Sequence, residues 1–441
     1  MGEPQQTLDA AASCAAPRLR VLVFTTVFPN PMQPLHGTFV FERIRHLASL
    51  ADVRVVAPIP WHHALRAPMP MPQTMSGLTV RYPVFWYLPK TLWSLRAVFL
   101  FLSSVPQIKQ LNDAQEFDLI DAHFAYPDGF AAVLLGLWFR RPVCITLRGT
   151  IVQWSKRRLG RFLCDWAIRR AARVIAVAES LAERARQGGV REDRLVTIRN
   201  GVDAAQFRLM DREAARRSLD LPEGRRLLVS VGHISPRKGF QRVLRSLPRV
   251  VRSCPDICFA IVGGRGAEED NSAELDLLVR RFDLTSQVIF AGAKPPDAVA
   301  LWLAAADVFV LASDFEGCPN VVLEAMSCGR PVVASKVGDI ERMVPNFAGI
   351  LVDDAEDDTA LADALLEALR QQWDPARIRE HVAARSWDAV AEQVHAQWRH
   401  AVRRSTPAAG AVASVISQPP AASPASDRPI SKAPRSVPGT R

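Results

Sequence analysis

The chain has 441 residues, of which 49% are hydrophobic and 23% are charged, so it can bury large cores, and its length favours two or three domains. This composition excludes a wholly disordered protein, a collagen-like protein and a small disulfide-stapled protein. The net charge of +10 is unevenly placed, since residues 1–200 carry +11 and residues 201–403 carry −5, and the basic half is predicted to face an anionic partner.

Short β-rich runs alternate with helical stretches from Arg18 onwards, and several runs are continuously apolar, as in strands that helices cover on both faces. In the first half the pattern predicts strands near Arg20–Phe24, Val53–Ala57, Leu119–Ala122, Val143–Thr146, Val174–Val177 and Leu195–Ile198. It predicts helices at Phe39–Leu50, Leu92–Gln110, Gly129–Trp138, Arg158–Ala172 and Ser180–Gln187. This alternation is typical of a doubly wound parallel sheet.

The pattern restarts after a charged stretch at residues 208–225. The second set of predicted strands is Leu227–Val231, Ile257–Val262, Val288–Ala291, Val308–Leu311, Val332–Ala334 and Ile350–Val352. The second set of predicted helices is Phe240–Ser253, Ala273–Phe282, Ala298–Ala305, Val321–Ser327 and Thr359–Gln371. The fold class is therefore predicted as α/β, with two Rossmann-like doubly wound domains that face a central cleft at the carboxyl ends of their strands.

The predicted domain organisation places one Rossmann-like domain at residues 18–203 and a second at residues 204–386. An amphipathic helix is predicted at 387–404. Residues 1–17 and the Pro/Ala/Ser-rich tail at 405–441, which holds seven prolines, are predicted to be disordered.

Two glutamates stand in a loop and helix that follow a predicted buried strand. Glu316 lies in the loop, a helix is predicted to open near Pro319–Asn320, and Glu324 falls about one turn into it. Free N–H groups and the positive dipole end at a helix start suit a phosphate or a sugar hydroxyl. Glu316 could accept sugar hydroxyls and Glu324 a ribose diol. The alternative is a capped helix with two solvated glutamates.

Two adjacent cations, Arg237 and Lys238, follow the strand that ends at Gly232 and precede another predicted helix. Arginine can bind a diphosphate bidentately, and lysine adds a compact point charge. The alternative is an ordinary exposed basic turn. The sequence contains no GxxxxGK[ST] motif, which argues against a P-loop nucleotidase.

Taken together, Val231-Gly232…Arg237-Lys238-Gly239 and Glu316-x7-Glu324 resemble the donor-site signature of family-4 glycosyltransferases, which are retaining enzymes of the GT-B fold. The resemblance extends over residues 18–403, and it implies that residues 18–203 form the acceptor-side domain and residues 204–386 the nucleotide-sugar-binding domain. Its supporting segments are Asn200-Gly201-Val202-Asp203, Val262-Gly263-Gly264 and the stretch from Asp118 to Gly129.

The resemblance implies a role for each matching residue. Arg237 and Lys238 would grip the diphosphate of a nucleotide sugar, Glu316 would contact the transferred sugar and Glu324 would hold the ribose. Lys238 is the safer assignment of the two cations, because His233 stands where many relatives have an arginine. His123 is the catalytic candidate of the first half, with a hydrogen-bonded histidine at a strand end as the alternative. The other predicted donor-binding residues are Gly37, Gly232, Gly263, Pro319, Asn320 and Val321.

The predicted function is therefore retaining transfer of a sugar from a nucleotide-diphosphate sugar to a glycan or lipid-linked acceptor, in exopolysaccharide or cell-surface polysaccharide synthesis. Fixed cations can stabilise the departing nucleoside diphosphate without a metal. No metal and no cofactor beyond the nucleotide sugar are expected, and the scattered cysteines offer no zinc site. The alternatives are a GT-B-fold nucleotide-sugar epimerase or phosphorylase and a non-catalytic sugar-binding protein. No nucleic-acid recognition motif is evident.

A basic amphipathic stretch at residues 156–173 suggests contact with an anionic membrane surface, with a helix packed on its own sheet as the alternative. The first 20 residues lack the order of a signal peptide, and no apolar run reaches the roughly 20 residues that span a bilayer. The sequence therefore predicts a cytoplasmic protein that associates peripherally with the inner face of the membrane.

Overall fold

The computed structural model describes residues 18–65, 73–87, 93–222, 224–265 and 270–405. The disorder predicted for residues 1–17 and for the tail beyond Ser405 lies outside the described residues. So does part of the aromatic segment near Trp86, at residues 88–92.

The first half of the chain is built on an eight-stranded sheet. Its strands, together with a separate two-stranded pair, are β1 (Arg20–Phe24), β2 (Asp52–Val56), β3 (Ile59–Pro60), β4 (Gln73–Met75), β5 (Leu78–Arg81), β6 (Val84–Phe85), β7 (Leu119–His123), β8 (Val143–Leu147), β9 (Arg173–Ala176) and β10 (Leu195–Thr197). The order in the sheet is β10-β9-β8-β7-β1-β2-β5-β4, while β3 pairs with β6. All pairs in the large sheet are parallel except β4 with β5.

The helices of this half are α1 (Thr38–Leu47), α2 (Trp61–Ala64), α3 (Arg96–Ala114), α4 (Phe130–Phe139), α5 (Thr150–Ser155), α6 (Arg158–Arg170) and α7 (Glu179–Gln187). Single turns of tighter helix lie at Trp93–Leu95 and Glu192–Arg194, and an irregular turn lies at Ala125–Gly129. Strand β7 is buried at every position, as expected for a strand between two helical layers.

The second half is a six-stranded, fully parallel sheet of β11 (Arg226–Val231), β12 (Ile257–Val262), β13 (Val288–Gly292), β14 (Val308–Leu311), β15 (Val332–Ser335) and β16 (Gly349–Val352). The order is β13-β12-β11-β14-β15-β16, which reverses direction between β11 and β14. The helices are α8 (Arg212–Ser218), α9 (Phe240–Ser253), α10 (Ser272–Arg281), α11 (Pro296–Ala305), α12 (Asn320–Ser327), α13 (Ile340–Met343), α14 (Asp358–Arg370) and α15 (Pro375–Ala383), with a tight turn at Pro236–Lys238.

The final helix, α16 (Trp387–Ser405), returns to the first half of the molecule. Its Trp387, Val394 and Trp398 are buried in one cluster with side chains of β1 and α1. The chain returns from the second half to the first near Arg385, beside the place where it left the first half near Val202. There the Val202 N–H donates to the Arg385 carbonyl at 2.8 Å. The sequence predicted the helix without indicating which half it covers.

The predicted doubly wound α/β fold is confirmed, and every predicted strand is present to within about one residue at each end. Predicted helices also agree, although α1 ends at Leu47 instead of Leu50 and α3 runs from Arg96 to Ala114 instead of from Leu92 to Gln110. The elements that the pattern missed are short or charged: β3, β4, β5, β6, α2, α5, α8, α13 and α15. Helix α8 arises because Asp211 caps it, accepting from the Ala214 N–H at 2.5 Å. For α15 the local signal was present, since Asp374 caps it directly before Pro375.

Each large sheet reverses strand order once, at β1/β7 in the first half and at β11/β14 in the second. Ligands of open parallel sheets bind outside the carboxyl ends of the strands at such a reversal. The loops after β11 and β14 are the ones that carry Arg237, Lys238 and Glu316. The fold therefore places these predicted residues at the expected binding edge.

Candidate functional site

The loops after β11 and β14 meet at the reversal point of the second sheet. The tight turn Pro236–Lys238 follows β11, and its Arg237 carbonyl accepts from the Asp314 N–H at 3.0 Å. Arg242 secures the same junction from α9, because its Nη1 donates to the Ala312 carbonyl at 2.7 Å while its guanidinium pairs with Asp314. The two loops are thus held together by both backbone and side-chain contacts.

Glu316 is the centre of this junction and is only 7% exposed. Its Oε1 accepts from Lys238 Nζ at 2.7 Å, from Ser313 Oγ at 3.0 Å and from Arg237 Nη1 at 3.3 Å. Burial by itself would raise the pKa of Glu316, but the charges of Lys238 and Arg237 lower the pKa below its ordinary value. Glu316 is therefore an ionised carboxylate that holds both predicted cations at one point.

The remaining donor-side residues surround this cluster. Gly263, after β12, lies against the backbone of Gly232, and an added Cβ there would overlap the Gly232 carbonyl oxygen. Pro319 caps α12, and Asn320 and Val321 are its first residues, directly after the Glu316 loop in the chain. The structure therefore brings together all the predicted residues of the second half: Gly232, Arg237, Lys238, Gly263, Glu316, Pro319, Asn320, Val321 and Glu324.

Glu324 lies one turn inside α12 and is partly buried. Burial raises the pKa of Glu324 to about 7, although the charge of Lys238 opposes the increase. The carboxyl group can therefore act as a hydrogen-bond donor below neutral pH and as an acceptor above it.

Gly37 begins α1 with φ of +71°, a backbone conformation in which an added Cβ would overlap the Val27 carbonyl. The pKa of the neighbouring His36 is lowered by burial first and then by electrostatic repulsion from His233, against a hydrogen bond with the Thr26 backbone. The His36–Gly37 loop therefore lies near the loop after β11.

His123 ends β7 and has no exposed surface. Its Nδ1 lies 3.4 Å from Arg148 Nη2, and its Nε2 lies 3.4 Å from Asp121 Oδ2. Burial lowers the pKa of His123 to about 4, against the opposing influence of Asp121. The sequence predicted a histidine that faces the reacting centre, whereas in this structure the imidazole lies beneath that surface. Its catalytic role stays a prediction.

Sequence reasoning missed four polar residues of the site region, namely Ser313, Arg242, Asp128 and Thr26. Asp128 is completely buried and accepts from Thr26 N at 2.7 Å and from Thr26 Oγ1 at 2.8 Å, which ties the loop after β1 to the turn after β7. Burial raises the pKa of Asp128 to about 6. Both residues follow strands at the reversal point of the first sheet, and that position was the available signal.

Within the described ranges, no group of three or more His, Cys, Asp or Glu side chains is arranged to hold a metal ion. The predicted independence from metals stays a prediction. The same ranges contain no helix that is both long and apolar enough to cross a bilayer.

Comparison with known proteins agrees with this architecture. Residues 36–206 match the family model described as Glycosyltransferase Family 4, and residues 211–385 match the one described as Glycosyl transferases group 1. The chain is 28% identical over 375 residues to TuaC of Bacillus subtilis, a protein assigned as a glycosyltransferase of teichuronic acid biosynthesis, and the match covers 81% of this chain and 91% of TuaC.

Two solved structures share the fold at low sequence identity. Sucrose-phosphate synthase from Thermosynechococcus elongatus superposes with a TM-score of 0.74 at 21% identity, covering 88% of this chain and all of that one. HepE from Anabaena, in complex with UDP, superposes with a TM-score of 0.68 at 20% identity, covering 87% of this chain and all of that one.

Proposed function

Starting from the premise that this chain is a glycosyltransferase of the GT-B fold, we propose that it transfers a sugar, with retention of configuration, from a nucleotide-diphosphate sugar to a glycan or lipid-linked acceptor in cell-surface polysaccharide synthesis. The observation that carries the proposal is the ionised cluster of Lys238, Arg237 and Glu316 at the reversal point of the second sheet.

Departure of a nucleoside diphosphate adds negative charge to its terminal phosphate. Lys238 and Arg237 lie where the carboxyl ends of β11 and β14 meet, and they are fixed before any ligand arrives by their contacts with Glu316. Preorganised cations of this kind stabilise developing charge without reorganising during the reaction. We include independence from a metal in the proposal on this basis. No residue is assigned as a nucleophile.

The donor sugar would lie beside Glu316, whose carboxylate accepts hydrogen bonds from hydroxyl groups, and Glu324 would receive the ribose. Helix α12 begins at Asn320, four residues after Glu316, and its first turn has no side-chain cap, so backbone N–H groups there have no partner within the helix. A solved relative of the same fold binds UDP, and another structure of that relative holds UDP-glucose. The polysaccharide role is supported by the TuaC match, whose name places that protein in teichuronic acid biosynthesis.

The proposal predicts that a nucleoside diphosphate stabilises the fold. At a ligand concentration of 100 times the Kd, the free energy of unfolding should rise by about 2.7 kcal/mol. Melting temperature measured with UDP, GDP, ADP and their glucose conjugates is expected to increase for one base. The matching nucleotide sugar should then release its diphosphate only when an acceptor is glycosylated.

Two outcomes would reject this function. If none of the three nucleotides raises the melting temperature, the proposed nucleotide-sugar donor is wrong. Interconversion of free nucleotide sugars without an acceptor, detected by chromatography of the products, would instead identify an epimerase.

A membrane-facing surface is the second part of the proposal. Helices α3, α4 and α6 pack beside one another, with the Phe101 and Trp138 rings 6.2 Å apart and the Phe130 and Trp166 rings 4.4 Å apart. We call this the α3/α4/α6 face. Its large apolar side chains exposed to solvent are Leu102 (58%), Leu137 (65%), Trp138 (64%), Leu159 (48%) and Phe162 (56%).

Exposed cations border the α3/α4/α6 face. They are Arg140, Lys156, Arg157, Arg158, Arg161, Arg169 and Arg170. None of the seven forms an ion pair with another described residue, so their charges are available to anionic headgroups. Apolar side chains that enter a bilayer interface while cations bind its surface are typical of peripheral membrane proteins. A lipid-linked acceptor would be presented at such a surface.

The double variant Leu159→Ser/Phe162→Ser is expected to bind vesicles about ten-fold or more weakly than the wild type, since each lost side chain removes roughly 1–2 kcal/mol of apolar burial. Co-sedimentation with vesicles of equal parts phosphatidylcholine and phosphatidylglycerol at low salt measures this. The matched control is Leu277→Ser, an equally exposed leucine on α10 of the second half, which should bind normally. Wild-type protein that stays in the supernatant would refute the membrane part alone.

A further inference from the structure

Asn200 lies where the chain leaves the first sheet, and its buried side chain contacts both halves of the molecule. Its Oδ1 accepts from Arg148 Nη1 at 3.3 Å. Its Nδ2 donates to Asn320 Oδ1 at 2.7 Å and to the Cys318 carbonyl at 3.3 Å. One amide group therefore connects the loop after β8 with the first residue of α12.

The orientation of the Asn200 amide follows from the chemistry of its partners. A guanidinium can only donate hydrogen bonds, and a carbonyl can only accept them. Oδ1 must therefore face Arg148, and Nδ2 must face Cys318. Because Asn200 Nδ2 donates, Asn320 has to accept through its own Oδ1. The hydrogen bonds are therefore donated in one direction, from Arg148 to Asn200 and from Asn200 to Asn320.

Arg148 is a buried cation that forms no ion pair with any described carboxylate. Its guanidinium lies over the Phe39 ring, 4.6 Å from the centroid, and its Nε is buried without a hydrogen-bond partner in the described ranges. Burial, followed by repulsion from Arg43, lowers the pKa of Arg148 to about 9. Placing a cation here costs desolvation energy, which the attraction of Asp121 offsets only in part, since the pKa still falls.

Arg148 also bears on the protonation of His123. Because Arg148 Nη2 only donates, the neutral imidazole has to offer its Nδ1 lone pair, 3.4 Å away. The ring proton then lies on Nε2, and Asp121 Oδ2, 3.4 Å from Nε2, favours the same tautomer although the two atoms form no hydrogen bond. Arg148 is therefore one of two groups that set the tautomer of His123, and Arg148 is in turn held by Asn200.

We propose that Arg148 and Asn200 are positioning residues that transmit the placement of the start of α12 to the imidazole of His123. Residues 200–203 form one of the two crossings between the halves, beside residues 385–387. A change in the angle between the halves therefore acts directly on the contacts of Asn200. The kinetic consequence rests on the proposed function, whereas the structural coupling does not.

Arg148→Met tests the first link. Nitrogen NMR of the histidine rings, with the His123 signals assigned by comparison with His123→Gln, should show one Nε2-protonated tautomer in the wild type and a mixture of tautomers in Arg148→Met. With the nucleotide sugar that is turned over, kcat should fall about 10- to 100-fold while the KM for the donor stays within two-fold. An unchanged tautomer or an unchanged kcat overturns the proposal.

Arg199→Met is the matched control for a purely structural effect. Arg199 also bridges the halves, through its ion pair with Asp339, but it takes no part in the Arg148 chain. It should leave the His123 tautomer unaltered. If it shifts the tautomer as much as Arg148→Met does, Arg148 acts only by holding the halves together, and the inference fails.

Asn200→Ala tests the second link and also covers the case in which Arg148→Met does not fold. Its loss of kcat should match that of Arg148→Met, and the double variant should lose no more than either single variant, because the residues act as one unit. Additive losses overturn the proposal. Failure of the proposed function has a separate signature, namely no thermal shift with UDP, GDP or ADP in the wild type, and the tautomer measurement remains decisive in that case.

Discussion

Lys238→Met is expected to lower kcat for sugar transfer by about 10²- to 10³-fold, the usual cost of removing one preorganised charge from a reacting centre. Methionine keeps an unbranched stem that can still pack against Gly232, which the lysine side chain contacts now. It removes only the ammonium group that lies 2.7 Å from Glu316. The rate is to be measured with the nucleotide sugar that gives the largest thermal shift.

The same substitution changes the pH dependence of stability. In the wild type the depressed pKa of Glu316 contributes stability above the unfolded-state pKa of about 4.3, and this stability is lost as the pH falls through the folded-state pKa. Without Lys238 the folded-state pKa rises towards the unfolded-state value, so the variant should lose less stability on acidification than the wild type does, and the loss should end at a higher pH. The free energy of unfolding of the variant is expected to be lower than that of the wild type by at most about 3–5 kcal/mol, because Arg237 and Ser313 still bind the Glu316 carboxylate.

Lys109→Met is the matched control for Lys238→Met. Lys109 is also paired with a carboxylate, at 3.7 Å from Asp113, but both residues lie on α3 in the first half of the molecule. Its activity should remain at the wild-type level. Near-normal turnover by Lys238→Met would contradict the donor-site assignment.

Gly239→Ala is expected to reduce the free energy of unfolding by about 3–5 kcal/mol, which is exceptional for a single methyl group. Gly239 has φ of +72° and joins the Pro236–Lys238 turn to α9. An added Cβ would overlap the carbonyl oxygen of Ala312, at the end of β14. The turn would have to move away from β14 and would carry Lys238 away from Glu316, so nucleotide binding should weaken as well.

Gly292→Ala separates the steric effect from the conformational one. Gly292 has nearly the same φ, +73°, but an added Cβ there would meet no atom within 4 Å. The free energy of unfolding of Gly292→Ala should therefore fall only by the roughly 1–2 kcal/mol that the left-handed conformation costs an alanine. Urea unfolding of both variants measures the difference. Equal losses would show that the close approach of Gly239 to β14 is not what constrains the turn.

Local patterns explain why so much of the second half was predictable. Strands such as Ile257–Val262 and Val308–Leu311 are continuous apolar runs because helices cover both faces of a parallel sheet. The glutamates and cations follow strand ends directly, and the strand order then brings those ends together. Short elements such as β3 and β6 were missed because two paired residues leave no periodic pattern.

Other features depend on residues that are far apart in sequence. The single carboxylate that binds both Lys238 and Arg237 lies 78 and 79 positions from them. The burial of His123 results from helices and loops packed around β7, which its own neighbours in sequence do not reveal. The contact of α16 with β1 and α1 joins opposite ends of the described chain. No local window contains this information.

The sequence by itself determined the two α/β halves, the positions of the strand ends and the types of residue that follow them, because hydrophobic periodicity and turn chemistry act over short distances. Only the tertiary structure decided that Glu316 pairs with both cations, that Arg148 and Asn200 connect His123 to α12, and that the last helix covers the first half. Those outcomes depend on which charged and polar groups remain near one another after the apolar surfaces are buried, and that is a property of the folded chain as a whole.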